Sequence, residues 1–422
     1  MAHRVFVFTV LVVTVVAMTP NSVIIPGLPA IAAGLGVSRA VVGMLITVYT
    51  ASSGISSLFV GMLADRAGRK MVLIPSLLMY AAGGTVPLYS GAMGVVLAGR
   101  VVQGIGGSGL MSSIYGLIGD FYEDAPDRNR LLGLVNGTIA ISEMAVPLVG
   151  GALAAMSWKT PFAAYALAVP AAVLCAVTLP RAGRFGGPAT DYARGLAATL
   201  SSPTILGTFL AKLGFTMAYF MLLTCYPFAV VSRLKGSSVL AGMMLIPMGV
   251  MWSVSAFSMP RLTARFSTRR LAVIGGAAQA VSAAGMAFAW TTPVMAAMFG
   301  IWGFGAGLSN PSLLSIMIES SGESCRGAVS SLFSCVALVG GSIGPAVSGY
   351  LALPSGDLAP AFLFACGILL AGTLGFARLV RPLPDRGSPP PGDGMAGDSQ
   401  SEGSEDCHDD PRDHDPRRYR RD

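Results

Sequence analysis

Gly61-Met62-Leu63-Ala64-Asp65-Arg66-Ala67-Gly68-Arg69-Lys70 is the stretch that decides how this chain is read. It gathers Asp65, Arg66, Arg69 and Lys70 into ten residues of a chain that is only 12% charged. Two long apolar runs, residues 41–60 and 71–88, flank it. A charged, glycine-bearing connection between two runs of membrane length predicts a tight hairpin facing water. An ordinary positive loop beside a membrane accounts for Arg66, Arg69 and Lys70. It gives no reason for Gly61, Asp65 and Gly68 at those spacings.

Of the 422 residues 53% are apolar, and the mean hydropathy is +0.66. A bilayer core about 30 Å thick needs about 20 helical residues to cross. Apolar runs of that length recur from end to end. They are continuous rather than alternating, which excludes a membrane β-barrel. The expectation is an all-α polytopic membrane protein with twelve spans, near 5–28, 41–62, 71–90, 93–117, 131–155, 160–180, 203–231, 238–259, 271–290, 294–318, 327–350 and 359–378. The first resembles the core of a signal peptide, but it continues through Asn21 to Leu28 and is read as a retained span.

Charge sets the orientation. With both termini cytoplasmic, the inner segments hold sixteen basic residues, and the outer ones hold only Arg39, Lys159, Arg233 and Lys235. The excess of positive charge on inner loops predicts that arrangement, in the cytoplasmic membrane. Arg100 and Lys212 fall within spans, and Lys212, near the inner end of the seventh, is expected to snorkel to the interface. The net charge of +7 divides between a tail from Asp385 with eleven acids and six bases and a body with ten and twenty-two. A basic membrane protein needs no nucleic acid as partner, and none is expected.

Residues 181–202, with Gly186-Gly187-Pro188 at their middle, form the longest internal connection. They divide the chain into six-span bundles at 1–180 and 203–380, with 193–200 read as a short surface helix. Residues 381–422 are rich in Pro, Gly, Ser and Asp and read as a disordered cytoplasmic tail. Two landmarks repeat at nearly one offset. Leu262 and Arg265 stand 199 positions after Leu63 and Arg66, and Pro345 and Gly349 stand 198 after Pro147 and Gly151. Duplication of a six-span unit follows.

The opening stretch resembles the G-x-L-a-D-r-x-G-r-k signature between the second and third helices of major facilitator superfamily transporters. Gly99-Arg100-Val101-Val102-Gln103-Gly104 resembles that family's R-x-x-q-G pattern on the fourth. Arg100, Gln103 and Gly104 share one helical face, and a mid-span arginine is costly enough to need a reason. Either it serves a proton or substrate site, or it bonds backbone carbonyls and holds helices together. Glu143 is the only carboxylate deep within a span, followed by Pro147, Gly150 and Gly151. That resembles the fifth-helix motif of the drug:proton antiporter branch, with Val146 in place of a glycine. The eleventh span carries a closer version ending at Gly344-Pro345. Close packing explains the small residues, but not the glutamate.

The resemblance further implies that Asp65, Arg66 and Asp120, with Gly61, Gly68, Arg69 and Lys70, latch the inner ends of the second, fourth and eleventh helices in the outward-open state. A solvated loop acid is the other reading of Asp120. Asn21 beside Pro20, Phe215, Tyr219, Tyr226, Trp252 and Asn310 beside Pro311 are candidates for a substrate cavity, since prolines and polar groups in mid-span mark cavity-lining helix. For the aromatics, facing lipid is the alternative.

No phosphate-binding loop, hydrolase triad or metal-ligand spacing stands in the sequence, so neither an enzyme, an ATP-driven pump nor a cofactor is expected. The resemblance implies a secondary transporter that exports a hydrophobic or amphipathic small molecule, a drug or a metabolite, against protons. Glu143 would carry the proton and Arg100 would tune it. A proton-coupled importer on the same fold and a transport-inactive membrane receptor or assembly factor are the rivals.

Overall fold

The computed structural model describes residues 2–122, 125–179, 202–320, 326–352 and 357–380. All of these belong to one compact unit. The connection between halves at 180–201, with the short helix expected there, and the tail from 381 onward lie outside them. The first half comprises α1 (Ala2–Ser22), α2 (Leu28–Leu35), α3 (Arg39–Ala67), α4 (Arg69–Tyr89), α5 (Met93–Phe121), α6 (Ala125–Met156), α7 (Thr160–Ala163) and α8 (Ala168–Thr178). The second comprises α9 (Pro203–Ser232), α10 (Ser238–Met243), α11 (Leu245–Thr263), α12 (Thr268–Ala287), α13 (Thr292–Glu319), α14 (Arg326–Ala352) and α15 (Ala359–Leu379).

Among the described residues, eleven segments are long and apolar enough to cross a membrane. The ninth expected span, now α12, is not among them, because Arg269, Arg270, Gln279 and its many Gly, Ala and Ser residues dilute its hydropathy. It nevertheless packs as a full member of the bundle, against α13 and α15.

Two boundaries differ from expectation. The first span does not stop at Leu28: α1 ends at Ser22, a 3-10 turn covers Ile25–Gly27, and α2 carries on to Leu35. Pro26, which has no amide hydrogen, sits at the break. The charged hairpin, in turn, is almost entirely helix. Gly68 alone separates α3 from α4, at φ +94°, a conformation that any side chain would strain.

The two halves repeat one another in detail. The carbonyl of Ser76 and amide of Tyr80 abut Gly106 where a Cβ would stand, and Gly275 and Gln279 press on Gly305 in the same way, 199 positions later. Gly104 lies against Ser52 and the Tyr49 carbonyl, and Gly307 lies against Ser255 and the Trp252 carbonyl. Small residues at these crossings let backbones touch, which substitutes for the hydrophobic drive that lipid cannot supply.

The halves meet through α3 with α14 and through α6 with α10 and α11. The close approaches gather toward one end. Gly349 backs onto Ala40, Gly43 faces the Pro345 carbonyl at 3.4 Å from its ideal Cβ, and Leu338 packs on Gly54. On the other seam Gly151 abuts Ser238, Gly242 abuts the Pro147 carbonyl, and Met144 packs on Gly249. Further along the same faces, an ideal Cβ on Gly61 or Gly137 meets nothing within 4 Å. The bundle is therefore closed at the Arg39 end and parted toward the Arg69 end.

Cations cap helix ends throughout. A helix leaves its last carbonyls without partners, and in lipid those carbonyls must find donors. The Lys70 ammonium donates to the carbonyls of Ala176 and Leu179 at the end of α8, at 2.7 and 2.6 Å. Arg269 donates to the Ala377 carbonyl at the end of α15, the same device in the second half. Arg233 donates to Ala287 at the end of α12 at 2.8 Å and to the exposed Asp357 at 2.6 Å. The Ala359 amide and the Arg233 guanidinium both donate to the Asp357 carboxylate and hold its pKa below the ordinary aspartate value.

Lys70→Met removes two charge-assisted bonds at the α8 terminus. The expected result is a lower thermal-aggregation midpoint of the purified protein, from a loss of about 1.5 kcal/mol or more. Lys70→Arg, which keeps donors and charge, is expected to restore most of it. An unchanged midpoint in Lys70→Met would show that the cap carries no stability.

Candidate functional site

Arg100 is the most deeply buried cation among the described residues, 1% exposed. Its reach is set by the break in the first span. Because α1 stops at Ser22, the Pro20 carbonyl is among those left without a helical partner. Arg100 Nη1 donates to that carbonyl at 3.0 Å and to Gln103 Oε1 at 2.8 Å, and Nη2 donates to the Tyr165 hydroxyl at 3.2 Å. Tyr165 in turn donates to the Pro20 carbonyl at 2.6 Å. The guanidinium also lies over the rings of Phe162 and Tyr165. The arginine thus ties α1, α5, α7 and the following 3-10 turn into one network inside the first half.

Of the two readings of Arg100, the bond to a backbone carbonyl is present here. No ion pair joins Arg100 and Glu143 among the described residues, and both Nη atoms donate to neutral oxygens. Glu143 instead lies at the seam between halves, one residue before Met144, which packs on Gly249 of α11. It is half-buried. No cation pairs with it among the described residues. A carboxylate so placed stands at the closed end of the parted space, where closure and opening of the seam change its access to water.

The expected helix-packing residues all stand at close contacts. Gln103 is fully buried beside Arg100. Gly150 presses on the Val23 carbonyl at the break of the first span, and Gly151 and Pro147 meet α10. Gly344 lies on the Met217 carbonyl of α9, and Pro345 faces Gly43 across the halves.

The latch residues are arranged otherwise than expected. Arg69, not Arg66, pairs with Asp120, its Nε donating to Oδ2 at 2.8 Å, while Arg66 is exposed. The physical reason is helix phase. With α3 continuing to Ala67, Arg66 points outward, whereas Arg69 opens α4 beside the end of α5. The Asp65 side chain lies outside the described residues. Gly116, which sequence reasoning missed, leaves the space that the Arg69 guanidinium fills.

The cavity candidates divide. Phe215 and Tyr226 are buried in packing within the second half, Phe215 against Gly276 and Tyr226 edge-on to Phe299, so they are core and not lining. Tyr219, Trp252, Asn310 and Asn21 are half-buried. Tyr219 stacks on Trp302 of α13 with centroids 6.3 Å apart. Asn310 receives a hydrogen bond from Lys212 at 2.6 Å, so Lys212 does not snorkel but turns toward α13.

Asp120→Asn and Gly116→Ala strike one contact from its two sides, by removing the charge and by displacing Arg69. Each is expected to lower the thermal midpoint, and the double variant to lower it no further than the worse single one, as for residues sharing one interaction. Additive losses would show that Gly116 acts elsewhere.

Comparison with known proteins agrees with this architecture. The bacillibactin exporter of Bacillus subtilis (strain 168) is 34% identical over 148 residues, 34% of this chain and 37% of that protein. The multidrug resistance protein MdtL of Escherichia coli O9:H4 (strain HS) is 30% identical over 166 residues, 39% of this chain and 42% of that protein. The chain thus matches well under half the length of these curated relatives. Among solved structures, the nucleoside transporter NupG superposes with a TM-score of 0.75 at 12% identity, covering 89% of this chain and 98% of that one. An inward-facing, unoccupied bacterial homologue of the human lysosomal transporter Spinster gives 0.70 at 14% identity, covering 90% and 95%. The sequence profile of the Major Facilitator Superfamily matches residues 10–345 and 261–401, and this chain belongs to that superfamily of membrane transporters.

Proposed function

We propose that this transporter exports a hydrophobic or amphipathic small molecule, a drug or a metabolite, in exchange for protons, with both termini in the cytoplasm. The observation that carries the reading is Glu143, a carboxyl at the seam between halves with no cation beside it among the described residues. Burying a bare carboxylate is prohibitively costly, whereas its neutral acid is far cheaper to enclose. Alternation of the seam would therefore favour a protonated Glu143 whenever it is sealed. Proton uptake on one side and release on the other then follow, with substrate moving in the opposite sense. Both curated relatives, an exporter and a drug-resistance protein by name, favour export over import.

In proteoliposomes with an imposed pH difference, Glu143→Gln is expected to bind substrate yet lose uphill efflux. Undiminished pH-driven efflux by that variant would sink the coupling proposal. Orientation is checked separately. A reporter active only outside the cell should work when fused after Lys235 and stay silent after Arg194 or Arg381. Activity at Arg381 would reverse the assignment.

A further inference from the structure

Most buried or half-buried cations described above end on helix carbonyls; Lys212 does not. It lies nine residues into α9, about 13 Å along the helix at 1.5 Å per residue. Its Nζ donates to Asn310 Oδ1 of α13 at 2.6 Å and stands 4.6 Å from the centre of the Phe333 ring of α14. An ammonium has three donors and no acceptor, so the amide presents its oxygen to Lys212 and its NH2 to a further acceptor. No carboxylate pairs with Lys212 among the described residues. Glu319, on α13, is nine residues beyond Asn310 at the helix end and bonds Ser315. An ionisable group at membrane depth normally has a charged partner or a function.

The side of α9 that carries Lys212 is fixed by its neighbours. Leu210, Gly214 and Met217 line an apolar groove with Ile368 and Ala371 of α15. Lys212 projects from the opposite face. Tyr219, seven residues on, shares that face and stacks on Trp302 of α13. That strip of α9 therefore presents a cation about two turns from Tyr219, turned toward α13 and α14.

We infer that Lys212 and Asn310, floored by Phe333, seat a carboxylate on the transported molecule. A single ammonium with one amide NH2 matches the charge and two oxygens of a carboxylate. A phosphate, with more charge and more oxygens, would lack donors. The adjoining aromatic surface of Phe333 and Tyr219 suits an apolar body behind the acid. The substrate class is thus an amphipathic acid, which rests on the transporter reading above.

The test uses the full chain in nanodiscs with 11-(dansylamino)undecanoic acid and its methyl ester as probes. Tryptophan-to-dansyl energy transfer reports binding, and empty nanodiscs give the lipid-partition blank. Wild type is expected to bind the acid at least tenfold tighter than the ester. Lys212→Gln, which loses the charge, and Asn310→Asp, which neutralises it internally, should both erase the preference. Equal affinity for acid and ester in wild type, or a preference that survives both substitutions, would overturn the site. A parallel assay of pH-driven efflux of ethidium separates the two readings. Ethidium pumping without an acid preference overturns the carboxylate seat and leaves export standing. An acid preference erased by both substitutions, with no pH-driven movement of either probe or ethidium, upholds the seat and overturns export.

Discussion

The Pro20 carbonyl, orphaned where the first span breaks, is the point on which the first half is built. Inside a bilayer no water is at hand to satisfy it, so the protein brings Arg100 and the Tyr165 hydroxyl to the same oxygen. Gly150 packs against the Val23 carbonyl beside the break. The irregular backbone is thus covered from α5, from α6 and from the turn after α7. A mid-membrane arginine that looks like an ion-pair partner serves as a backbone cap.

The same economy recurs at the helix ends. Lys70, Arg233 and Arg269 each close a C-terminus by donating to its last carbonyls, where the helix dipole also favours a cation. Arg69 and Asp120 add a side-chain pair at the parted end. Each cap joins elements within one half. The joins between halves are of another kind, mostly small residues and carbonyls in contact along two seams. Two bundles joined along two seams suit rocking of one against the other, the motion expected of this fold. Glu143 on α6 and Lys212 on α9 stand within spans and cap no helix end among the described residues.

Much of this was legible in the chain itself. Runs of membrane length, their charge asymmetry and the repeated offset follow from hydrophobic transfer and duplication, and each leaves a linear trace. Gly68 was legible because only glycine holds its φ without strain. Glu143 was legible because an acid has no packing reason to sit in a span.

The tertiary structure decided the partners. Backbone carbonyls have no sequence signature, so the sequence could not say which carbonyls Arg100, Lys70 and Arg269 take. Helix phase at the α3–α4 junction turned Arg66 outward and gave Asp120 to Arg69, a choice that hinges on a single residue between the helices. Phe215 and Tyr226 could not be told from cavity-lining rings because a helix hydrophobic on all sides carries no phase. For the same reason the sequence could place Lys212 at a depth but not on a face. Depth is a count of residues along one helix, which the sequence contains; direction depends on which helices stand beside it, which only the packed bundle sets.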